Sequence, residues 1–255
     1  MIKYLIFILS TLSLAFCQDK IGTSAANFLC ISMGSRATAL GGAFTSISSD
    51  PSSLYYNPAS ISRIEGDKLT LNNTKWFLDS KILFISGNYR LNKAISVGSF
   101  LINLDYGDEE ITDFNNQEGT GTYWSANDLA FGSAISFNLT NEFSIGTTIK
   151  YINQRIHNET ANSVATDIGI YYLSELKKFS MGFSISNFGL NMILDGKDLY
   201  NRIDLDPEDG GNNETIVAKI KTESWPLPLF LRLGISKQFQ IGENVSLLSS
   251  SDFII

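Results

Sequence analysis

His157 is the only histidine in the sequence, and so the one side chain whose ordinary pKa suits proton transfer near neutrality. It lies in a polar stretch, 157–163, that reads as a connection between strands, where a solvated ring is the simpler reading. No Gly-x-Ser-x-Gly elbow, phosphate-binding glycine loop or His/Cys metal spacing occurs. The sequence therefore assigns no catalytic residue, no metal and no cofactor, and an enzyme is not expected. The acidic run "DLDPEDGGNNE" at 204–214 gathers Asp204, Asp206, Glu208, Asp209 and Glu214 as a calcium loop would, but its glycine falls one place late for the EF-hand pattern. A solvated loop is the favoured reading there, with calcium as the alternative; "DYGDEE" at 105–110 is read as a solvated loop.

Four other charges share a more specific setting. Asp128, Lys150, Asp167 and Arg232 fall on the small, polar face of segments that alternate with period two, and Arg36 lies upstream of all of them. Facing inward, they could tether an internal segment through ion pairs, Arg being suited to bidentate carboxylate contacts. A water-filled interior with polar walls is the competing reading.

The elements that must position them are strands. Leu129, Phe131, Ile135 and Phe137 oppose Asp128, Ala130, Gly132, Ala134 and Ser136; Phe143, Ile145, Ile149 and Tyr151 oppose Ser144, Gly146, Thr148 and Lys150. The pattern repeats at 179–186 and 229–238. One face is bulky and apolar, the other small or polar. Six times an apolar residue precedes a glycine, at Gly98, Gly132, Gly146, Gly169, Gly182 and Gly234. Strand glycines mark bends or close approach of another backbone, so the shared face is expected to have something packed against it.

Nine strands are predicted, near 67–78, 81–90, 94–106, 126–138, 143–156, 164–173, 178–188, 228–239 and 244–255. Their links alternate between short (91–93, 139–142, 174–177, 240–243) and long (107–125, 157–163, 189–227), as in an outer-membrane barrel. Aromatic residues gather near the strand ends, matching interfacial girdles. Residues 1–17 read as a signal peptide, with an apolar run from Tyr4 to Phe16 too short to span a bilayer. Cleavage before Gln18 is preferred to acylation of Cys17, and it leaves Cys30 without a disulfide partner. No later run is long enough for a transmembrane helix. Net charge of −7 argues against nucleic acid as a partner. The expected fold is all-β, an antiparallel transmembrane barrel over 67–255 preceded by an irregular segment at 18–66. An odd strand number suggests that further strands are missing, since bacterial single-chain barrels have even numbers.

The irregular segment carries a resemblance. Met33-Gly34, Arg36-Ala37, Ala39-Leu40-Gly41-Gly42-Ala43-Phe44, Asp50-Pro51-Ser52 and Tyr56-Asn57-Pro58-Ala59 resemble the N-terminal signature of the PorV/PorQ family, relatives of the FadL outer-membrane transporters. Ser35, Ser48-Ser49 and Ser60 depart from the usual pattern. "DIG" at 167–169, "SNFG" at 186–189 and "LRLG" at 231–234 are weaker echoes. The resemblance implies a fourteen-stranded FadL-like barrel, about nine strands of it present, plugged by an N-terminal hatch built on Gly34, Arg36, Ala37, Gly41, Gly42, Asp50, Pro51, Asn57, Pro58 and Ala59. It implies a place in the cell outer membrane and a role in a type IX secretion system, with secretion subunits, exported proteins and membrane lipid as partners. Two further functions remain open: a FadL-like transporter of long-chain fatty acids or other hydrophobic small molecules, and a secreted β-sandwich acting as a binding module.

Overall fold

The period-two segments pair into one antiparallel sheet. In the computed structural model, which describes residues 23–174, 179–203, 216–241 and 245–255, its long strands are β1 (Lys68–Lys75), β2 (Lys81–Arg90), β3 (Ile95–Glu110), β4 (Tyr123–Asn138), β5 (Phe143–Ile156), β6 (Glu159–Ser174), β7 (Phe179–Gly189), β8 (Phe230–Gln240) and β9 (Ser246–Ile254). They lie side by side in chain order, a meander whose first and last strands do not pair with each other among the described residues. Among the described residues no helix is long and apolar enough to cross a membrane. The signal-peptide stretch and the acidic run at 204–214 lie outside the described residues.

The connections depart from expectation in two places. Strands β3 and β4 run further than their alternation shows, and "DYGDEE" at 105–110 is the end of β3 and not a loop, because a bulge between Asp105 and Asp108 lets pairing resume at Asp108, Glu109 and Glu110; Gly107, at φ 85°, supplies the left-handed residue there. The expected loop at 157–163 is instead a tight turn at His157-Asn158. His157 takes φ 52° and its N–H donates to the Ser125 carbonyl at 2.9 Å. Polar residues 159–163 pair with β5 nonetheless, so a polar composition disguised a strand end.

The remaining irregular stretch, 190–229, contains short paired pieces. Met192–Ile193 pairs with Ser224–Trp225, and Tyr200–Ile203 with Ile216–Lys219. Asp195–Gly196 adds to β6 at Glu159 and Thr160.

The two faces of the sheet differ as the alternation requires. One leaves Leu69, Leu71, Phe131, Ile145, Ile149, Val164, Ile168, Leu233 and Ile235 exposed, an apolar band that water would not favour and lipid would. The other is covered by residues 25–64, which contain only short helical turns at Asn27–Cys30, Ser35–Ala39, Ser53–Tyr56 and Pro58–Arg63. Between them lies the core, with Phe44, Leu54, Tyr55, Tyr56 and Ile61 from the segment and Ile82, Phe84, Phe100, Ile102 and Ile152 from the sheet. The covered face is therefore not uniformly small and polar. Its β2–β3 part is apolar, because "KILFISG" and "SFLINL" are bulky on both faces and their alternation is hidden.

Candidate functional site

The covered face and the segment seated on it are matched residue by residue. Asn57 precedes Pro58, which opens the Pro58–Arg63 turn with its fixed φ. The Asn57 side chain caps that turn by accepting from the Ala59 N–H at 3.0 Å. Its amide N–H groups donate to the Thr45 carbonyl at 3.0 Å and, across to β6, the Ile170 carbonyl at 2.9 Å. One fully buried side chain thus closes the corner on itself, on a neighbouring turn and on the wall.

The glycines make room for this corner. A Cβ at Gly169 would lie 2.1 Å from Asn57 Oδ1, one at Gly146 2.6 Å from the Ala59 nitrogen, and one at Gly182 2.0 Å from the Thr45 carbonyl. One at Gly234 would meet the Ser46 nitrogen at 3.0 Å, and one at Gly98 the Leu54 and Ile61 side chains at 3.2 Å. Gly132 instead accommodates the Phe100 ring. Gly146 is paired directly with Gly169, and Gly182 with Gly234, so the sheet presents backbone at two adjoining places.

Serines answer the segment's carbonyl groups. Ser86 donates to Pro51 at 2.7 Å, Ser136 to Ala59 at 3.0 Å, Ser184 to Tyr56 at 2.7 Å, and Ser180 and Ser236 both to Ser46, at 2.8 and 3.1 Å. Irregular backbone has no ladder of its own, and each buried carbonyl left unpaired would cost free energy. Asp252 on β9 accepts from the N–H groups of Phe44 and Thr45 at 3.0 and 2.9 Å. Arg63 donates to Ser144 Oγ at 2.6 Å and to the carbonyls of Thr140 and Asn141 at the β4–β5 turn. Neither Asp252 nor Arg63 stood out in the sequence; what could have found Asp252 is its place on the covered face opposite Gly234.

The aromatic residues of "LYYNP" fill the apolar part. The Tyr55 ring lies 5.8 Å from Phe100 and 6.3 Å from Phe84, edge-on to both. The hydroxyls of Tyr55 and Tyr56 donate to the carbonyls of Leu29 and Met33 at 2.6 and 3.0 Å.

The other sequence-nominated residues fall as follows. Gly34, Gly41 and Gly42 adopt φ of 93°, 66° and 82°, ending or entering the short Ser35–Ala39 helix, and Ala37 is fully buried. Asp50 accepts from the Ser52 N–H at 3.0 Å. Arg36 bonds Ser49 and lies 3.9 Å from Asp50, so its pairing stays within the segment. The inward charges do not reach across as ion pairs. Lys150 pairs with Asp167 at 2.8 Å, wall to wall, both nearly inaccessible. Asp128 accepts from Tyr106 and from Gln154, whose own carbonyl takes the Ala26 N–H at 2.8 Å. Arg232 donates to Ser186 and sits 6.0 Å from the Tyr56 ring centre. Tyr171, an aromatic residue near the end of β6, faces inward and meets Ser48.

A cavity of about 540 Å³ lies beside the β6–β7 and β8–β9 ends. Hydroxyl groups of Ser46, Ser48, Tyr171, Ser180 and Ser236 line much of it, with Leu248. In the 190–229 stretch the exposed pair Lys219–Asp195 is 2.6 Å apart; its hydrogen bond holds the Asp195 carboxyl below the usual range and raises the Lys219 ammonium. Among the described residues no group of acids, cysteines and histidine could hold a metal. The arrangement has hydrogen-bond donors aimed at backbone, and its chemistry is that of a fitted joint.

A family model for the type IX secretion system protein PorV matches residues 15–221. No curated protein matches. Among solved structures, the CymD monoaromatic hydrocarbon channel is similar at 11% identity and a TM-score of 0.51, over 85% of this chain and 67% of that one. A FadL homologue of Pseudomonas aeruginosa is similar at 13% identity and a TM-score of 0.47, over 84% and 66%. The chain thus spans about two thirds of each channel's length.

Proposed function

Because the chain belongs to the PorV family of type IX secretion system proteins, with a FadL-like barrel fold and a place in the outer membrane, we propose that it is a docking protein whose interior is kept shut. Residues 18–66 are its hatch and 67–255 its barrel wall. Exported proteins and secretion-system subunits engage the connections at 111–122 and 190–229, and do not travel through the interior. The observation that carries this reading is the joint between residues 44–64 and the wall, which combines steric fit at Gly146, Gly169 and Gly182 with carbonyl-directed serines on β2, β4, β7 and β8.

Transport of hydrophobic small molecules is the weaker reading. It calls for an apolar cavity between hatch and wall, but the apolar groups there, Phe84, Phe100 and Ile102, are packed against Tyr55 and its neighbours. The cavity beside Ser46, Ser180 and Ser236 is instead rich in hydroxyl groups.

Co-isolation tests the proposal. The tagged protein, extracted from outer membranes in mild detergent, is expected to bring down exported proteins with their C-terminal sorting domains. Replacing 190–229 by a short turn should remove them while the barrel still inserts. Recovery of bound hydrophobic small molecules, with no exported protein, would favour the transporter.

A further inference from the structure

The three short echoes in the barrel sequence, "DIG", "SNFG" and "LRLG", meet at one buried place. Asp167 comes from the first, Ser186 and Asn187 from the second and Arg232 from the third, and Lys150 of β5 joins them. Asp167 sits at a register shift between β6 and β7. Its carboxylate accepts from the Asn187 N–H at 2.7 Å and from Lys150 at 2.8 Å, supplying a partner where the ladder is interrupted. Asn187 takes φ 65°, a left-handed conformation that Asn tolerates better than most residues. Its side-chain carbonyl accepts from Lys150, and its amide donates to the Pro228 carbonyl at 2.8 Å. Arg232 donates to Ser186 at 3.1 Å and stacks on Phe230, 4.4 Å from the ring centre.

The position of this cluster matters. Residues 186–189 are where β7 gives way to the long connection, and 228–232 are where the chain returns into β8. We infer that Lys150, Asp167, Ser186, Asn187 and Arg232 form a positioning node that holds both stems of the 190–229 connection in register with the wall. Neighbouring contacts serve the same geometry. Ser163 donates to the Leu190 carbonyl at 2.6 Å, and the Ala25 N–H donates to Pro226 at 2.9 Å. Met192 and Leu227, one on each arm, are buried in the core. Arg232 also lies over Tyr56, so the node touches the N-terminal segment as well. Buried polar clusters of this kind fix one arrangement because a displaced partner leaves a charge or amide unpaired. The consequence for function rests on the docking reading above: the node presents the loop to its protein partner.

The test uses the full chain in outer membranes of intact cells. Asn187→Gly keeps the left-handed backbone and removes the amide; Asn187→Asp keeps an acceptor for Lys150 and cannot donate to Pro228. Externally added trypsin, which can cut at Arg202, Lys219 and Lys221, reports loop placement by mass spectrometry of the released peptides. Both variants are expected to keep the heat-modifiable folded band and to be cut about tenfold faster within 190–229, with cutting elsewhere unchanged. Ser186→Ala, which unties only Arg232, carries the test if neither accumulates folded protein. Unchanged cutting in a folded variant overturns the node. Faster cutting with undiminished co-isolation of exported proteins leaves the node standing and removes the docking role of this loop.

Discussion

Residues 44–64 and 190–229 are both irregular, yet they are held in different ways. In the first, Asn57, Ala59 and Ile61 are fully buried, and bonds from Ser86, Ser136, Ser184, Ser236 and Asp252 reach its backbone. In the second, Ile193, Tyr200 and Val217 are more than half exposed, and among the described residues it is bonded to the rest of the protein at the stems, on Leu190, Pro226 and Pro228, and at one edge, where Asp195–Gly196 and Asp198 meet Asn158, Glu159 and Thr160. Among the described residues the first has only short helical turns and the second mostly short paired pieces. The difference lies in what faces them. Irregular backbone becomes a fixed part when a wall offers it space at glycines and donors at serines. Without such a wall it is placed where it leaves and rejoins the sheet and where it borders the start of β6.

The comparison can be broken most severely at a glycine. Gly182→Val drives a side chain into the Thr45 carbonyl, which has nowhere to go, and should destabilise the seat by about 3 kcal/mol. The expected result is loss of protease protection for residues 23–64 at urea concentrations that leave the natural chain intact. Next is Asn57→Ala, which removes the bonds to Thr45, Ile170 and Ala59 and should cost about 2 kcal/mol, read as a lower urea midpoint for the same protection. The smallest effect belongs to the exposed loop. Asp195→Asn breaks the Lys219 pair in solvent, and no change in that midpoint is expected.

The same pair sharpens the contrast through pH. The Asp195 carboxyl is held below its ordinary 3.8, so its contribution is present above that value and fades as pH falls through the lowered one. The Lys219 ammonium is raised above its ordinary 10.5, so its contribution is present below that and fades as pH rises through the raised value. Protection of 200–203 and 216–219 from hydrogen exchange, corrected for the intrinsic pH dependence of the exchange rate, should therefore fall at both extremes and stay level between them.

Much of this was legible in the residues. Most of the nine strands show in the alternation, and glycines 146, 169 and 182 mark where another backbone comes close. Arg36, Lys150 and Asp167 stand out in the sequence as charges, but Arg36 pairs within its own segment and Lys150 with Asp167, because sequence shows a face and not a partner. The β2–β3 part was opaque, since Ile82, Phe84, Phe100 and Ile102 are as bulky as their outward neighbours. Asp252 and Arg63 were missed because each acts on backbone groups far away in the chain, which leaves no local pattern. The stretch after His157 has the polar composition of a loop, yet residues 159–163 pair with β5.

The central claim is that the segment stays seated while the protein works. Ser46 and Ser236 adjoin, the second donating to the carbonyl of the first, so Ser46→Cys with Ser236→Cys, in a Cys30→Ser background, can be joined by oxidation or a short bis-maleimide. Secretion by cells carrying the joined protein is the measurement to make. Unaltered export with the joint locked is the expected result. Export that stops on joining and returns when an oxidised bridge is reduced would contradict it, and would make the interior the route.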